Sequence, residues 1–421
     1  MLCRSVHAAL AACLLSSSAM VLGADDSSLS LRDAIERAGS ARPELAGFVL
    51  ERRVREAETR AARLRPLPRI ELAVEDALGS DTRSGFDSAQ TTLSLSQLFE
   101  LGGKREGRLA AADARAARLV TEQSLRQLDV VTEIARAFVE TLAQQARVAT
   151  AEAAVRLAQR QRATVDERVR AGASPPAERS RAVVALAETG LLLEDARHVL
   201  ATSRFALAAA MGLDRPDFTQ IAGDLFAQPP SVQFETLLAQ LESTPDFLLF
   251  AADLRLRQAE LALARSRRRA DLQTTVGVRR YEQGDDAALV AGIAMPLFQA
   301  SAAQPAVDAA HAEMSLVEQQ RRAALLKARA LLFTHHQEME HARHVVSTLD
   351  SEILPELERA LAQTEDGWRR GRYSLLEWTD VQRRLLDARN RRIDAAAEFQ
   401  LHRIEIERLT GADLAQAGET R

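Results

Sequence analysis

Four of the chain's eight histidines fall in one short run, His335-His336-Gln337-Glu338-Met339-Glu340-His341-Ala342-Arg343-His344. On a helix, His336/Glu340 and Glu340/His344 lie four residues apart and His341/His344 three, a spacing from which imidazole and carboxylate ligands can grip a transition metal. The spacing is not His-Glu-x-x-His, so it does not describe a zinc protease. A plainer reading is a polar belt in the middle of a long helix, packed beside a linker. That reading is preferred; metal ligation by His335, His336, His341 and His344 is its alternative.

Other chemistry-bearing residues point away from catalysis. Gly102-Gly103-Lys104 lacks the Gly-x-x-x-x-Gly-Lys-Ser/Thr spacing of a phosphate loop. Arg267-Arg268-Arg269 reads as the charged end of a helix entering a strand. No nucleophile–base pair, dinucleotide fingerprint or cysteine cluster is present. The expectation is a protein that is not an enzyme and has no cofactor.

The elements that carry these residues form two diverged copies of one pattern. Arg42-Pro43-Glu44-Leu45 is answered by Thr244-Pro245-Asp246-Phe247, and Ala57-Glu58 by Ala259-Glu260, about 200 positions later. Leu98-Phe99, Gly172 and Met211-Gly212 are answered by Leu297-Phe298, Gly371 and Thr410-Gly411. The expected divisions are a leader at 1–24, a first repeat at 25–211, a linker at 212–233, a second repeat at 234–411 and a tail at 412–421.

Each repeat reads helix, hairpin, very long helix, turn, helix. The first helix is expected from Ser30 to Arg65, stopped by Pro66 and Pro68. Apolar and polar residues then alternate in Arg69–Glu75 and Thr91–Ser96, and again in the 272–295 stretch, the period of a strand. From Arg108 to Ala171 there is neither glycine nor proline, enough chain for a helix of ~96 Å. Its counterpart, about Ala306 to Arg370, contains Pro355 and Gly367, and a kink is expected near Pro355.

Composition agrees with long helices. Of 421 residues, 47% are hydrophobic, 27% charged and only 4% aromatic, which favours coiled coil over a compact mixed core. The net charge of −4 gives no reason to expect nucleic acid. Arg4, an apolar run to Leu22 and Asp25-Asp26 read as a secretory signal peptide cleaved near Ala24. Leu10-Ala11-Ala12-Cys13 also fits a lipobox, which would lipidate Cys13. Both cysteines, Cys3 and Cys13, lie in this segment. No later segment has the ~20 apolar residues of a transmembrane helix, so any membrane crossing must use strands. Four strands cannot close a barrel, because open edges are not tolerated in lipid, so several chains must contribute.

This order of elements resembles the TolC family of outer-membrane factors over essentially the whole mature chain. Gln97-Leu98-Phe99 and Met295-Pro296-Leu297-Phe298, each closing a strand before a small-residue turn, are typical of it. Leu98-Phe99-Glu100-Leu101-Gly102-Gly103-Lys104-Arg105 is similar to the Glu-Leu-Gly-Gly-Lys-Arg turn of CzcC-type members, which serve pumps exporting divalent heavy metals. The second copy has Gln299-Ala300-Ser301-Ala302-Ala303-Gln304 instead.

The resemblance implies a mainly α fold with a small β part. It implies a homotrimer with a long α-helical barrel and a 12-stranded transmembrane β-barrel, four strands per protomer, with two internal repeats. It implies a location in the outer membrane, in contact with its lipid and extending into the periplasm, and two partners, a periplasmic adaptor and an inner-membrane pump of the RND type. It also implies a gate at the helical tips, here Arg168, Arg170 and Gly172 in the first copy and Glu365, Asp366, Arg369, Arg370 and Gly371 in the second. Exposed ion pairs contribute only ~0.2–1 kcal/mol each, so a docking partner can break such links. Any one of these charges is better explained as a solvated coiled-coil face, so the gate is assigned to the region and not to a pair.

The expected function is therefore a passive export duct for divalent metal cations such as cobalt, zinc, cadmium or copper. A duct for drugs or a secreted protein keeps the fold and changes the cargo. A non-channel periplasmic adaptor is the reading from another class, and the two hairpins and four strands count against it.

Overall fold

The structure is a computed structural model that describes residues 28–411. The leader, with the cleavage near Ala24 and the Cys13 alternative, and the 412–421 tail lie outside the described residues.

The first helical segment is two helices rather than one. α1 spans Leu31–Ala41 and α2 spans Pro43–Ala62, with Arg42 between them in an extended conformation, φ −70° and ψ 118°. Proline disfavours helical dihedrals in the residue before it, and Pro43 is that proline. The same break recurs in the second repeat. There α5 (Phe234–Gln240) and a short 3-10 turn give way at Thr244 to α6 (Pro245–Ser266). Ser30 caps α1 through a reciprocal pairing with Asp33, whose carboxyl is held below its usual range by those hydrogen bonds.

Strands β1 (Arg69–Glu75) and β2 (Gln90–Phe99) follow α2, and β3 (Leu272–Tyr281) and β4 (Asp286–Ala294) follow α6. They form one antiparallel sheet in the order β1-β2-β3-β4. The two repeats are thus sewn together by the β2–β3 pairing, with Leu93 opposite Val278 and Leu95 opposite Val276.

α3 runs without interruption from Lys104 to Arg170, 67 residues, or ~100 Å at 1.5 Å per residue. α4 (Pro176–Ala210) returns along it. In the second repeat a single turn, α7 (Gln299–Ala302), precedes α8 (Gln304–Thr348). A π-helical turn at Leu349–Ile353 then separates α8 from α9 (Leu354–Arg369), and α10 (Leu375–Thr410) returns. The π-turn falls immediately before Pro355. Proline has no N–H for the carbonyl four residues back and its ring crowds that carbonyl, so the ladder is re-paired there.

The largest core lies at the waist of the helices. Val130, Ile134, Phe138 and Leu142 of α3 meet Leu207 and Met211, Ile393 and Ile404 of α10, and the linker's Phe218, Ile221 and Leu225. Two amide side chains pin the linker there. Gln145 donates to the Ile221 carbonyl and accepts from its N–H, and Gln400 donates to the Leu225 and Ala227 carbonyls at 3.2 and 2.7 Å. Among the described residues no helix is long and apolar enough to cross a membrane.

Candidate functional site

The sheet has two unlike faces. Paired positions in an antiparallel sheet share a face. Along the register, Ile70, Leu95, Val276 and Ala291 form one such row, and Leu72, Leu93, Val278 and Leu289 another. Both rows lie on the same side, and their large members are exposed, from 51% for Val278 to 83% for Leu289. The opposite side carries Glu71, Ser94 and Gly277, then Ala73, Thr92 and Arg279. Arg279 donates to Thr92, to Gln90 at 3.0 Å and to Glu75 at 2.8 Å, a polar network across three strands. An apolar face in contact with lipid and a polar one lining water is the pattern of a transmembrane barrel wall. β1 and β4 each have one unpaired edge. The wall therefore closes only through other copies.

The junction between sheet and helices is built by the Leu98–Arg105 motif. Gly102 and Gly103 both take left-handed dihedrals, φ 78° and 77°. A Cβ on Gly102 would stand 2.6 Å from the Arg269 side chain and 2.9 Å from the Ser266 carbonyl oxygen, so this position requires glycine twice over. Glu100 accepts a forked hydrogen bond from Arg108. That partner holds the Arg108 guanidinium above its ordinary pKa against the opposing effect of burial. Lys104 reaches across to Asp271 at 2.6 Å, and Asp271 also accepts from the Leu101 N–H. The motif thus fixes the angle at which α3 leaves the sheet and ties the first repeat to the second. In the second repeat Phe298 stands in the left-handed region, φ 59°, where a bulky residue is strained.

At the far end the tips of the two hairpins meet. Arg168 donates to the Trp368 carbonyl at 3.0 Å, to the Arg369 carbonyl and to the Ala173 carbonyl at 3.3 Å. Its guanidinium also stacks on the Trp368 ring at 4.9 Å. Glu365 pairs with Arg369 within α9, and Asp366 with Arg370 at its C-cap. Arg170 is exposed. Gly172 and Gly371 carry φ of 71° and 74° and turn the chain. Beneath the tips Val165, Ala182, Trp368, Leu375 and Trp378 form a small apolar core, with the two indoles 5.1 Å apart. The charged residues named from the sequence lie at or beside these tips. The buried tryptophans that hold the two tips together were not singled out, although both tryptophans of the chain flank Gly371 and that coincidence was available.

The four histidines do not converge. His335 turns toward His402 of α10, with Nδ1 to Nδ1 3.1 Å. His336 faces the linker, its Nε2 3.2 Å from the Val232 carbonyl, and Glu340 beside it accepts from Ser231. His341 and His344 are exposed. A helix turns 100° per residue, so four histidines spread over ten positions cannot share one face. Among the described residues no group of three or more His, Cys, Asp or Glu is arranged to hold a metal.

Comparison with known proteins agrees with this architecture. The family described as outer membrane efflux protein matches residues 34–213 and again 238–412, one match per repeat. The cobalt-zinc-cadmium resistance protein CzcC of Cupriavidus metallidurans is 29% identical over 351 residues, covering 83% of this chain and 82% of that one. The nickel-cobalt-cadmium resistance protein NccC of Alcaligenes xylosoxydans xylosoxydans is 26% identical, covering 61% and 60%. Among solved structures, the CusC channel superposes with a TM-score of 0.74 at 17% identity, covering 91% and 92%, and the outer membrane protein VceC of Vibrio cholerae with 0.69 at 17%, covering 90% and 96%. With its twofold family match, its split-faced sheet and its paired helical hairpins, the chain belongs to the outer membrane efflux protein family.

Proposed function

We propose that this protein is the outer-membrane channel of a tripartite efflux system that exports divalent heavy-metal cations. The observation that carries the channel reading is the four-stranded sheet with a polar face, an exposed apolar face and two open edges. Three copies would supply twelve strands. The helical hairpins would extend the duct into the periplasm, where the tips meet an adaptor and a proton-driven inner-membrane pump. The cargo reading is supported by the resemblance to CzcC over most of both chains. The Glu100–Arg105 turn supports kinship only, since its Glu100 and Lys104 are consumed in structural pairs.

The tips are the proposed gate. Within one copy, Arg168 fastens the first hairpin to the Trp368 and Arg369 carbonyls of the second. Arg369, Asp366 and Arg370 are exposed and Glu365 partly so, and these pairs would exchange partners with another copy or an adaptor.

Metal tolerance tests the cargo. A host lacking this gene should grow poorly on zinc, cobalt or cadmium and regain growth on complementation. Sensitivity confined to hydrophobic antibiotics would discard the metal cargo while leaving the channel.

A further inference from the structure

The α8–α10 seam contains a pair of histidines that the channel function does not use. On α8 the seam runs Leu332, His335, Met339, Ala342, and on α10 Phe399, His402, Ile406. The steps of three and four residues are those of a coiled-coil seam, whose positions are normally apolar. Leu332, Met339, Ala342, Phe399 and Ile406 all belong to one buried cluster. The two imidazoles sit within that line, half-buried, with ring centroids 5.3 Å apart.

Their ligating atoms face each other. Nδ1 of His335 and Nδ1 of His402 are 3.1 Å apart. Two nitrogens bound tetrahedrally to one zinc at ~2.0–2.1 Å stand about 3.3 Å apart, so the present nitrogen–nitrogen separation is that of a chelating pair to within a few tenths of an ångström, and side-chain rotation would turn both lone pairs to a shared cation. We propose that His335 and His402 form a two-imidazole site for one borderline-soft divalent cation, zinc, cobalt, nickel or copper, completed by solvent and stapling α8 to α10.

The surroundings suit such a site. Ligating imidazoles must be neutral. Burial lowers the pKa of His335; Glu405 opposes this, and His402 and Arg136 add to it. Glu405 lies three residues beyond His402 on α10 and is ion-paired to Arg136 of α3. The carboxylate thereby supplies negative charge beside the pair and stays tied to a third helix. The site rests on this geometry and not on the cargo, so a duct for some other cargo would still have it.

The test uses the assembled full-length protein in detergent, titrated with cobalt and zinc by calorimetry and, for cobalt, visible absorption. One site per chain is expected, with a rise in Tm on binding. His335→Gln or His402→Gln should weaken binding at least about tenfold and abolish the Tm rise. The triple variant His336→Ala, His341→Ala, His344→Ala should bind as the parent does. Binding should fade as pH falls, because protons compete with the cation for the imidazole nitrogens. Should the Gln variants fail to assemble, pulsed electron paramagnetic resonance of copper bound to the parent protein decides, with two coordinated imidazoles expected. No uptake by the parent protein, unchanged affinity in both Gln variants, loss only in the triple variant, or fewer than two imidazoles on copper would each overturn the proposal. The pair would then be a device that fixes helix register, a known use of polar seam residues.

Discussion

The first repeat launches an unbroken rod and the second launches a jointed one. α3 leaves the sheet through two left-handed glycines, is anchored by Lys104–Asp271 and Glu100–Arg108, and runs 67 residues to its tip. α8 leaves through a left-handed phenylalanine and a separate one-turn helix, and a π-turn at Leu349–Ile353 divides it from α9. The same order of elements has therefore been given different mechanical properties. The difference teaches that stiffness here is a matter of a few residues. Glycines at the launch and an absence of proline make the rod, and Pro355 makes the joint. The hairpin expected to yield at the tip is accordingly the second, carried by α9 and α10.

The strongest way to break this comparison is at Gly102. Gly102→Ala adds a left-handed penalty of ~1–2 kcal/mol to a clash with Arg269 and the Ser266 carbonyl. A total loss of about 3 kcal/mol or more is expected, read by chemical unfolding of the purified protein and by the amount assembled in the membrane. Next comes Lys104→Ala, which strands Asp271. About 2 kcal/mol is expected, below the ~3–5 of a fully buried pair because Asp271 is partly solvated. The converse change sharpens the contrast. Phe298→Gly should relieve strain in the second launch and be neutral or stabilising by up to ~1 kcal/mol. Arg168→Ala should cost about 1 kcal/mol. Its signature should be faster amide exchange at 366–373 with the waist unchanged, because two of its three carbonyl partners, Trp368 and Arg369, lie at the second tip and only Ala173 lies at its own. If exchange quickens equally at the first tip, the assignment of yielding to the second hairpin is wrong.

Much of this was legible in the sequence because the signals were local and periodic. Alternation marked the four strands and the glycine- and proline-free run marked α3, which begins four residues earlier than Arg108 since Gly107 is accommodated against Leu263. The continuous first helix was misjudged because helical periodicity outweighed Pro43, whose effect falls on the residue before it. The site was less legible. His335 finds its partner in His402, 67 positions away, and no local spacing announces a contact between two helices. The Lys104–Asp271 tie was hidden for the same reason.

Closure of a strand wall between copies of this chain would join the free edges of β1 and β4. The measurement closest to it is disulfide cross-linking in the outer membrane of chains carrying Leu72→Cys on β1 with a second cysteine on β4, at Leu289, Ala291 or Ile293. The chain's own cysteines are Cys3 and Cys13, so they are replaced by serine in the control. A covalent trimer for one of the three pairings, absent from either single variant, is the result expected. Folded, membrane-inserted protein that yields no linked chains at any pairing would contradict it.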